Sequence, residues 1–456
     1  MRASRPESPA LVLAWLALAV CIGYVDVLGG AFQFDDYNVI INEARVHSWA
    51  NWFAALGHGI RPLLKFSYTL NWTLDAAPFG FHLVNLLIHL ANAYLVYRLA
   101  EALVQQPWQQ HDLQQVPLFT ALLFAVHPVH TEAVSYICGR SASLMTLFYL
   151  AALLSYVTGR SRHGKWYLHV ATPLLFLLAL AVKETAITFP LALLVWELGR
   201  GGRWQTALKA QWPVWALALV AAAFFLFSAS YSAQMQRSAE WNSLQGNIAT
   251  QLAAFAWLLR QWALPLWLNI DPDLPLRTDL GEAWLPLLLF ISVCATMLAC
   301  RRRRPWISFA LAWAMVQLIP LYLFLPRLDV ANERQLYLAA WPLLLALGIE
   351  LRLWLGDRAW RPAGAALLLT LVTLTALRNQ VYANEISLWE DAAQKSPHKA
   401  RVHNNLGYAY LQAHRAEDAR HEFITALQLD SNLVRARHNL YRTDDEKGKS
   451  RETLKP

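Results

Sequence analysis

Residues 10–37 read ALVLAWLALAVCIGYVDVLGGAFQFDDY, an apolar run closed by two adjacent carboxylates, Asp35 and Asp36. At about 1.5 Å per residue, residues 10–29 suffice to cross the roughly 30 Å of a bilayer's hydrocarbon core. Arg2 and Arg5 precede the run and no small-residue cleavage pattern follows it. It therefore reads as an uncleaved anchor with its N-terminus in the cytoplasm. The acids then sit at the far mouth of the first span, where adjacent carboxylates can take a proton, bind a divalent metal, or mark where water begins.

The rest of the chain has the same character. Of 456 residues 56% are hydrophobic and 15% charged, with 21 Trp, too apolar and aromatic for an ordinary soluble protein. The net charge of +8 does not point to nucleic acid, because Lys and Arg gather in short loops between apolar runs, where they orient a chain in a bilayer. Cys21, Cys138, Cys294 and Cys300 have neither metal-ligand spacing nor a disulfide pattern.

The expected fold is an all-α, polytopic membrane helix bundle with spans near 10–29, 81–104, 116–138, 142–159, 166–182, 185–199, 211–229, 284–300, 305–325, 335–355 and 363–378, about eleven in all. The basic loops 159–165, 199–203 and Arg301–Arg304 then share the cytoplasmic side. Segment 248–268 carries Arg260 mid-length and Pro265 after it, so it reads as re-entrant or interfacial rather than spanning. Residues 32–80 form a first outer loop rich in Trp, suited to short helices in the interface.

Beyond residue 378 a different periodicity takes over. Leu406, Gly407, Tyr410, Ala419, Phe423 and Ala426 fit the core of a tetratricopeptide repeat, and Asn439-Leu440 follows Asn405-Leu406 by 34 residues. Residues 379–442 are expected to form such a repeat, outside the cytoplasm. It is too short to cover its own faces and so docks on the membrane domain or a partner. The charged stretch 443–456 reads as a disordered tail.

Ionisable groups in a membrane protein mark function by default. In this topology Asp35, Asp36, Arg61 and Lys65, then His127, His130, Glu132 and Arg140, then Lys183 and Glu184, then Arg327, Asp329, Glu333 and Arg334 all face the same outer side. A carboxylate beside cations suits transfer of a group from a lipid-linked phosphate to a hydroxyl. On the second span His82, Asn85, His89 and Asn92 share one helix face, as interhelical hydrogen-bonding groups or as the lining of a lipid or sugar groove. His127-Pro128-Val129-His130 fits a kinked helix end as well as a metal ligand pair, and no metal site is assigned. Lys183-Glu184 reads as a self-neutralising pair or as a phosphate-binding lysine. Asn71-Trp72-Thr73 matches a glycosylation sequon.

Phe34-Asp35-Asp36, Arg61-Pro62-Leu63, the run Gly80 to His89, His127 to Val134 with Gly139-Arg140, Lys183-Glu184-Thr185, and Glu333-Arg334 with Leu336-Tyr337-Leu338 together resemble the transmembrane and tetratricopeptide repeat-containing protein O-mannosyltransferases. That resemblance covers nearly the whole chain and implies a GT-C fold over residues 1–378. It implies a glycosyltransferase that moves a mannose-like hexose from a polyprenyl-phosphate donor to a hydroxyl of a protein or envelope glycan. It carries the catalytic base onto Asp35 or Asp36 and the donor-phosphate ligands onto Arg140, Lys183 and Arg334. Arg61, His82, His89, His127, His130, Glu132, Glu184 and Glu333 would line the substrate groove, with the repeat docking the acceptor. No cofactor is implied beyond the divalent metal that paired acids could hold. The small size and short repeat array suggest a bacterial inner-membrane member. The competing readings are a lipid-linked sugar transporter and a non-catalytic envelope assembly protein that works through its repeat.

Overall fold

A computed structural model describes residues 8–57, 60–105, 113–162, 164–228, 236, 242–319 and 329–452. The described residues hold helices and turns and no strand. The chain begins with α1 (Pro9–Tyr24), capped by the Ser8 side chain, and a 3-10 turn, Val25–Gly29. A π-turn follows at Tyr37–Ile41, then the short α2 (Trp49–Ala55) and α3 (Pro62–Leu74). Next come α4 (Pro78–Val104), α5 (Val116–Val126), the single turn α6 (Thr131–Val134) and α7 (Arg140–Arg162). After these lie α8 (Thr172–Val182), α9 (Phe189–Gly199), α10 (Trp204–Phe227), α11 (Leu244–Ala263), α12 (Trp284–Cys300) and α13 (Pro305–Leu318). The chain closes with α14 (Leu336–Val381), α15 (Glu385–Lys395), α16 (Ala400–Gln412), α17 (Ala416–Leu429) and α18 (Val434–Glu452).

Among the described residues six helical stretches are long and apolar enough to cross a membrane: Pro9–Gly29, Pro78–Val104, Ile137–Ser161, Trp204–Phe227, Leu280–Cys300 and Glu333–Val381. Gly356, with φ of 62°, breaks α14 into two helices, as the separate spans 335–355 and 363–378 require. The expected span 116–138 does not form as one helix. α5 stops at Val126, because Pro128 cannot continue the ladder, and the chain passes through short turns to Arg140. An 11-residue helix reaches only about 16 Å, so α5 and α9 are half-length pieces. The count of eleven spans therefore does not follow from helix lengths, and the expected span 305–325 runs partly outside the described residues.

Burial follows the bilayer logic. α12 has no buried residue and exposes Trp284, Leu285, Leu288, Ile291 and Leu298, which suits a lipid-facing helix. α4, α5, α7 and the first half of α14 form the buried centre, where Trp313 and Trp341 pack edge to face. α11 buries Ala254, Phe255 and Leu258 with Leu318 of α13 and with Leu336 and Ala339 of α14.

The C-terminal helices pack as hairpins. Gly407 leaves no room for a side chain, since a Cβ there would stand 2.7 Å from Phe423. Ala419, Phe423 and Ala426 complete the seam, fully buried. This block is seated on the rest of the molecule through Asp271, which accepts from Lys399 Nζ at 2.6 Å and Arg401 Nε at 2.9 Å, and through Asn269, which donates to Ser396 Oγ at 2.8 Å. α18 continues helical to Glu452, through ten residues expected to begin a disordered tail.

Candidate functional site

The turns at one end of the bundle meet in a cavity of about 120 Å³ lined by Asp35, Arg61, Tyr68, Ser141, Lys183 and Arg334, among others. Five segments far apart in sequence build it. The loop after α1 supplies Asp35, the start of α3 supplies Arg61, the approach to α7 brings Cys138 and Ser141, the end of α8 brings Lys183, and the approach to α14 brings Asn332 and Arg334. A second, smaller cavity of about 30 Å³ shares Lys183 and Arg334 and continues between α7, α13 and α14 past Met145, Gln317 and Leu338.

Backbone geometry separates the two acids. Phe34 has φ of 50°, a left-handed conformation unusual for a side chain of its size, and three contacts hold it there. Its N–H donates to Glu385 Oε1 at 2.8 Å, and its ring stacks on Tyr136 and meets Trp389 edge-on. The twist sends Asp36 inward, 1% exposed, where one carboxylate oxygen accepts from Gln33 N–H and the other from Cys138 N–H, both at 2.9 Å. Asp35 turns to the cavity. Its N–H donates to Tyr136 Oη at 3.0 Å. Burial pushes the Asp35 carboxyl above its usual range despite the Arg334 guanidinium nearby, and pushes Asp36 up to about 7.

The cations are held by carboxylates behind them. Arg61, itself at φ of 56°, makes a bidentate pair with Glu184, Nε to Oε2 at 2.9 Å and Nη2 to Oε1 at 2.6 Å. Glu132, fully buried, accepts the Arg334 N–H at 2.9 Å and lies 3.4 Å from its Nε, while the guanidinium sits 5.9 Å above the Tyr136 ring. Glu333 points away, accepting from Asn269 N–H and lying 3.9 Å from Arg378. Arg378 in turn pairs with Asp391 of α15 at 2.7 Å, which ties the C-terminal helices to the back of the site.

Arg140 requires a correction. It was expected to hold phosphate, but it does not line the cavity and is fully buried. Its guanidinium donates to Asn85 Oδ1 at 2.7 Å, Asn71 Oδ1 at 2.6 Å and Phe81 O at 2.9 Å, and it lies over the rings of Tyr68 and Phe81. The residue welds α3, α4 and α7 together instead of facing a ligand. Asn71, read as part of a sequon, is buried in the same network and donates to Gly80 O.

The polar face of α4 also serves packing. His89 contacts Tyr337 Oη at 2.7 Å and Ala125 O at 3.1 Å, and Asn92 donates to Ser143 O at 2.8 Å. His82 packs under Gly30, where a Cβ would come within 2.9 Å of its Nε2. His127 accepts from Val129 N–H to cap the turn after α5, and His130 bonds Phe124 O at 2.8 Å. So His82, His89, His127 and His130 lie behind the cavity and do not line it. Among the described residues no group of three or more His, Cys, Asp or Glu is placed to hold a metal. Both Asp36 oxygens accept backbone N–H groups, and Asp35 alone of the two acids lines the cavity. Tyr68, Tyr136 and Asn332 were not singled out from the sequence, where an isolated aromatic or amide carries no pattern.

The chain aligns over most of its length with several curated proteins. It is 26% identical over 458 residues to Protein O-mannosyl-transferase F38B6.6 of Caenorhabditis elegans, covering 92% of this chain and 62% of that one. It is 26% identical over 467 residues to Protein O-mannosyl-transferase Tmtc3 of Drosophila melanogaster, covering 84% and 50%. It is 24% identical over 467 residues to Protein O-mannosyl-transferase TMTC3 of Mus musculus, covering 92% and 49%. The curated homologues of this chain are TMTC-family protein O-mannosyl-transferases. The chain spans between about half and 62% of the length of these TMTC relatives. All three come from animals and lend no support to the bacterial assignment. No family model matches the chain, and no solved structure matches it.

Proposed function

We propose that this chain is a membrane glycosyltransferase of GT-C type that moves a mannose-like hexose from a polyprenyl-phosphate donor to a hydroxyl of a polypeptide, at the extracytoplasmic face. The observation that carries the reading is the convergence of Asp35, Arg61, Lys183 and Arg334 on one cavity. Asp35 acts as base: it takes the acceptor hydroxyl proton as that oxygen attacks the anomeric carbon, and the bond from sugar to phosphate breaks with inversion. Lys183 and Arg334 hold the departing lipid phosphate, and Arg61 adds positive charge at the rim. The smaller cavity shared by Lys183 and Arg334 is lined mainly by polar groups, among them Thr146, Thr185 and Gln317, and extends the polar surface around the two cations. Burial raises the Asp35 pKa and so makes its carboxylate a stronger base, and Glu132 and Glu184 are positioning residues for Arg334 and Arg61. In this reading residues 379–442 are a short tetratricopeptide repeat.

The test is transfer in proteoliposomes carrying polyprenyl-phosphate mannose and a Ser/Thr-rich polypeptide. The parent protein should mannosylate the polypeptide. Lys183→Ala should raise the donor KM; Arg334→Ala should raise it too and also lower the unfolding temperature, because it strands the buried Glu132 carboxylate. No transfer by the folded parent with dolichyl or undecaprenyl donors would reject the proposal.

A further inference from the structure

A second and larger opening, about 450 Å³, lies between the loop after α1 and the C-terminal helices. Asparagines dominate its polar lining: Asn38 and Asn42 from the loop, Asn404 and Asn405 from α16, and Asn439 from α18. Asn439 Nδ2 donates to Asn404 Oδ1 at 3.1 Å, and Asn404 Nδ2 donates to Asn405 Oδ1 at 3.3 Å, so the amides form a row. The row ends in an unused donor, since Asn405 Nδ2 is shielded from solvent with no hydrogen-bond partner. Aromatic faces line the same groove, with Tyr37 and Tyr408 each 37% exposed.

The groove and the charged cavity share a wall. Phe34 and Tyr37 face the groove, while Asp35 and Val39 of the same turn face the cavity. Consecutive Cα atoms stand about 3.8 Å apart, so a chain lying in the groove and crossing Phe34 arrives directly beside Asp35. We infer that this groove binds the acceptor as an extended stretch of polypeptide, recognised through its backbone rather than its side chains. A side-chain amide offers one donor group and one acceptor, which matches the peptide unit and ignores what the peptide unit carries. The aromatic walls cover such a chain without demanding one residue type. The lining carries one acid, Glu385, and one base, Arg435, with His438, so charges of opposite sign stand in it rather than a field of one sign. Folded segments, whose backbone groups are already paired, are excluded.

The inference rests on the polypeptide acceptor of the proposed reaction, and binding can be measured apart from transfer. The full chain in nanodiscs is mixed with a fluorescein-labelled, uncharged 15-residue Ser/Thr peptide, and anisotropy is read without donor. Loss of one amide contact should weaken binding about five- to tenfold in Asn405→Leu. Tyr408→Ser, at a partly exposed position that folding tolerates, should weaken it comparably. With donor present the same variants should raise KM for the 15-mer and leave kcat unchanged. Equal peptide affinity in parent and both variants overturns the groove, as does stronger competition by an oligomannose glycan than by unlabelled peptide. If the parent binds peptide through these residues but transfers nothing, the groove stands and the transferase reading fails.

Discussion

Replacing each of the two neighbouring acids by asparagine should give opposite phenotypes. Asp35→Asn keeps the shape and leaves the backbone N–H bond to Tyr136 Oη in place, so stability should change by no more than about 0.5 kcal/mol. Transfer should fall by roughly 10² to 10⁴, the usual contribution of a general base, or about 3–5.5 kcal/mol of barrier. Asp36→Asn does the reverse. Its carboxyl accepts from two backbone N–H groups, and an amide can accept only one, leaving the other N–H facing an NH₂. At pH 6 the Asp36 carboxyl, pushed up to about 7, is already largely protonated, so no relief of buried charge offsets the loss. The cost should be about 1–3 kcal/mol of stability, with residual transfer by the molecules that remain folded. The assay pairs transfer in proteoliposomes with thermal unfolding followed by Trp fluorescence. Asp35→Asn retaining turnover within tenfold of the parent refutes the assignment. So does Asp36→Asn losing all transfer at an unchanged unfolding temperature.

Other outcomes follow from the same coordinates. The pH profile of kcat/KM should fall on the acid side with an inflection above the ordinary carboxylate value of 3.8, because Asp35 must be ionised to act and burial raises its pKa; an inflection at or below 3.8 contradicts this. Asp36 binds its proton more tightly folded than unfolded, so its contribution to stability is full below about pH 4 and is lost as pH rises through about 7. Unfolding temperatures across that window should show the fall in the parent and not in Asp36→Asn. Arg140→Ala should destabilise by about 3–5 kcal/mol, because it strands the Asn85, Asn71 and Phe81 acceptors in the core, and chemical denaturation would measure it. Gly139→Ala should cost at least about 1–3 kcal/mol, since its Cβ would fall 2.1 Å from the Glu132 carbonyl oxygen; an unchanged melting temperature would contradict that contact. Asp271→Asn should loosen α15 to α18, seen as faster amide exchange there, by removing the carboxylate shared by Lys399 and Arg401.

The all-helical, apolar architecture was legible because spanning runs announce themselves by length alone, and the break at Gly356 coincides with the gap between two of those runs. Asp35, Lys183 and Arg334 stood out in the sequence as charges at the ends of apolar runs, and the fold brings these three to one cavity. The division of labour between Asp35 and Asp36 was not, because it depends on one left-handed residue, Phe34, whose conformation is held by partners such as Glu385 hundreds of positions away. Arg140 misled for a related reason. Adjacency to a site in sequence says nothing about whether a guanidinium points into the opening or into the wall, and only the buried carbonyls around it decide that. The short α5 was not legible because the apolar run 116–138 continues through Pro128, whose missing backbone donor ends the helix.

The late residues of the chain close the earliest ones. Thr375 donates to Val126 O at 2.7 Å, Asn379 donates to Gly23 O at 2.6 Å, and Gln33 reaches Tyr382 O at 2.6 Å. A nascent chain halted on the ribosome before residue 375 would therefore carry Arg61, Lys183 and Arg334 yet lack the late bonds that Gln33 and Phe34 make to Tyr382 O and Glu385. The turn that carries Asp35 is thus completed only once the last helices of the chain have been made.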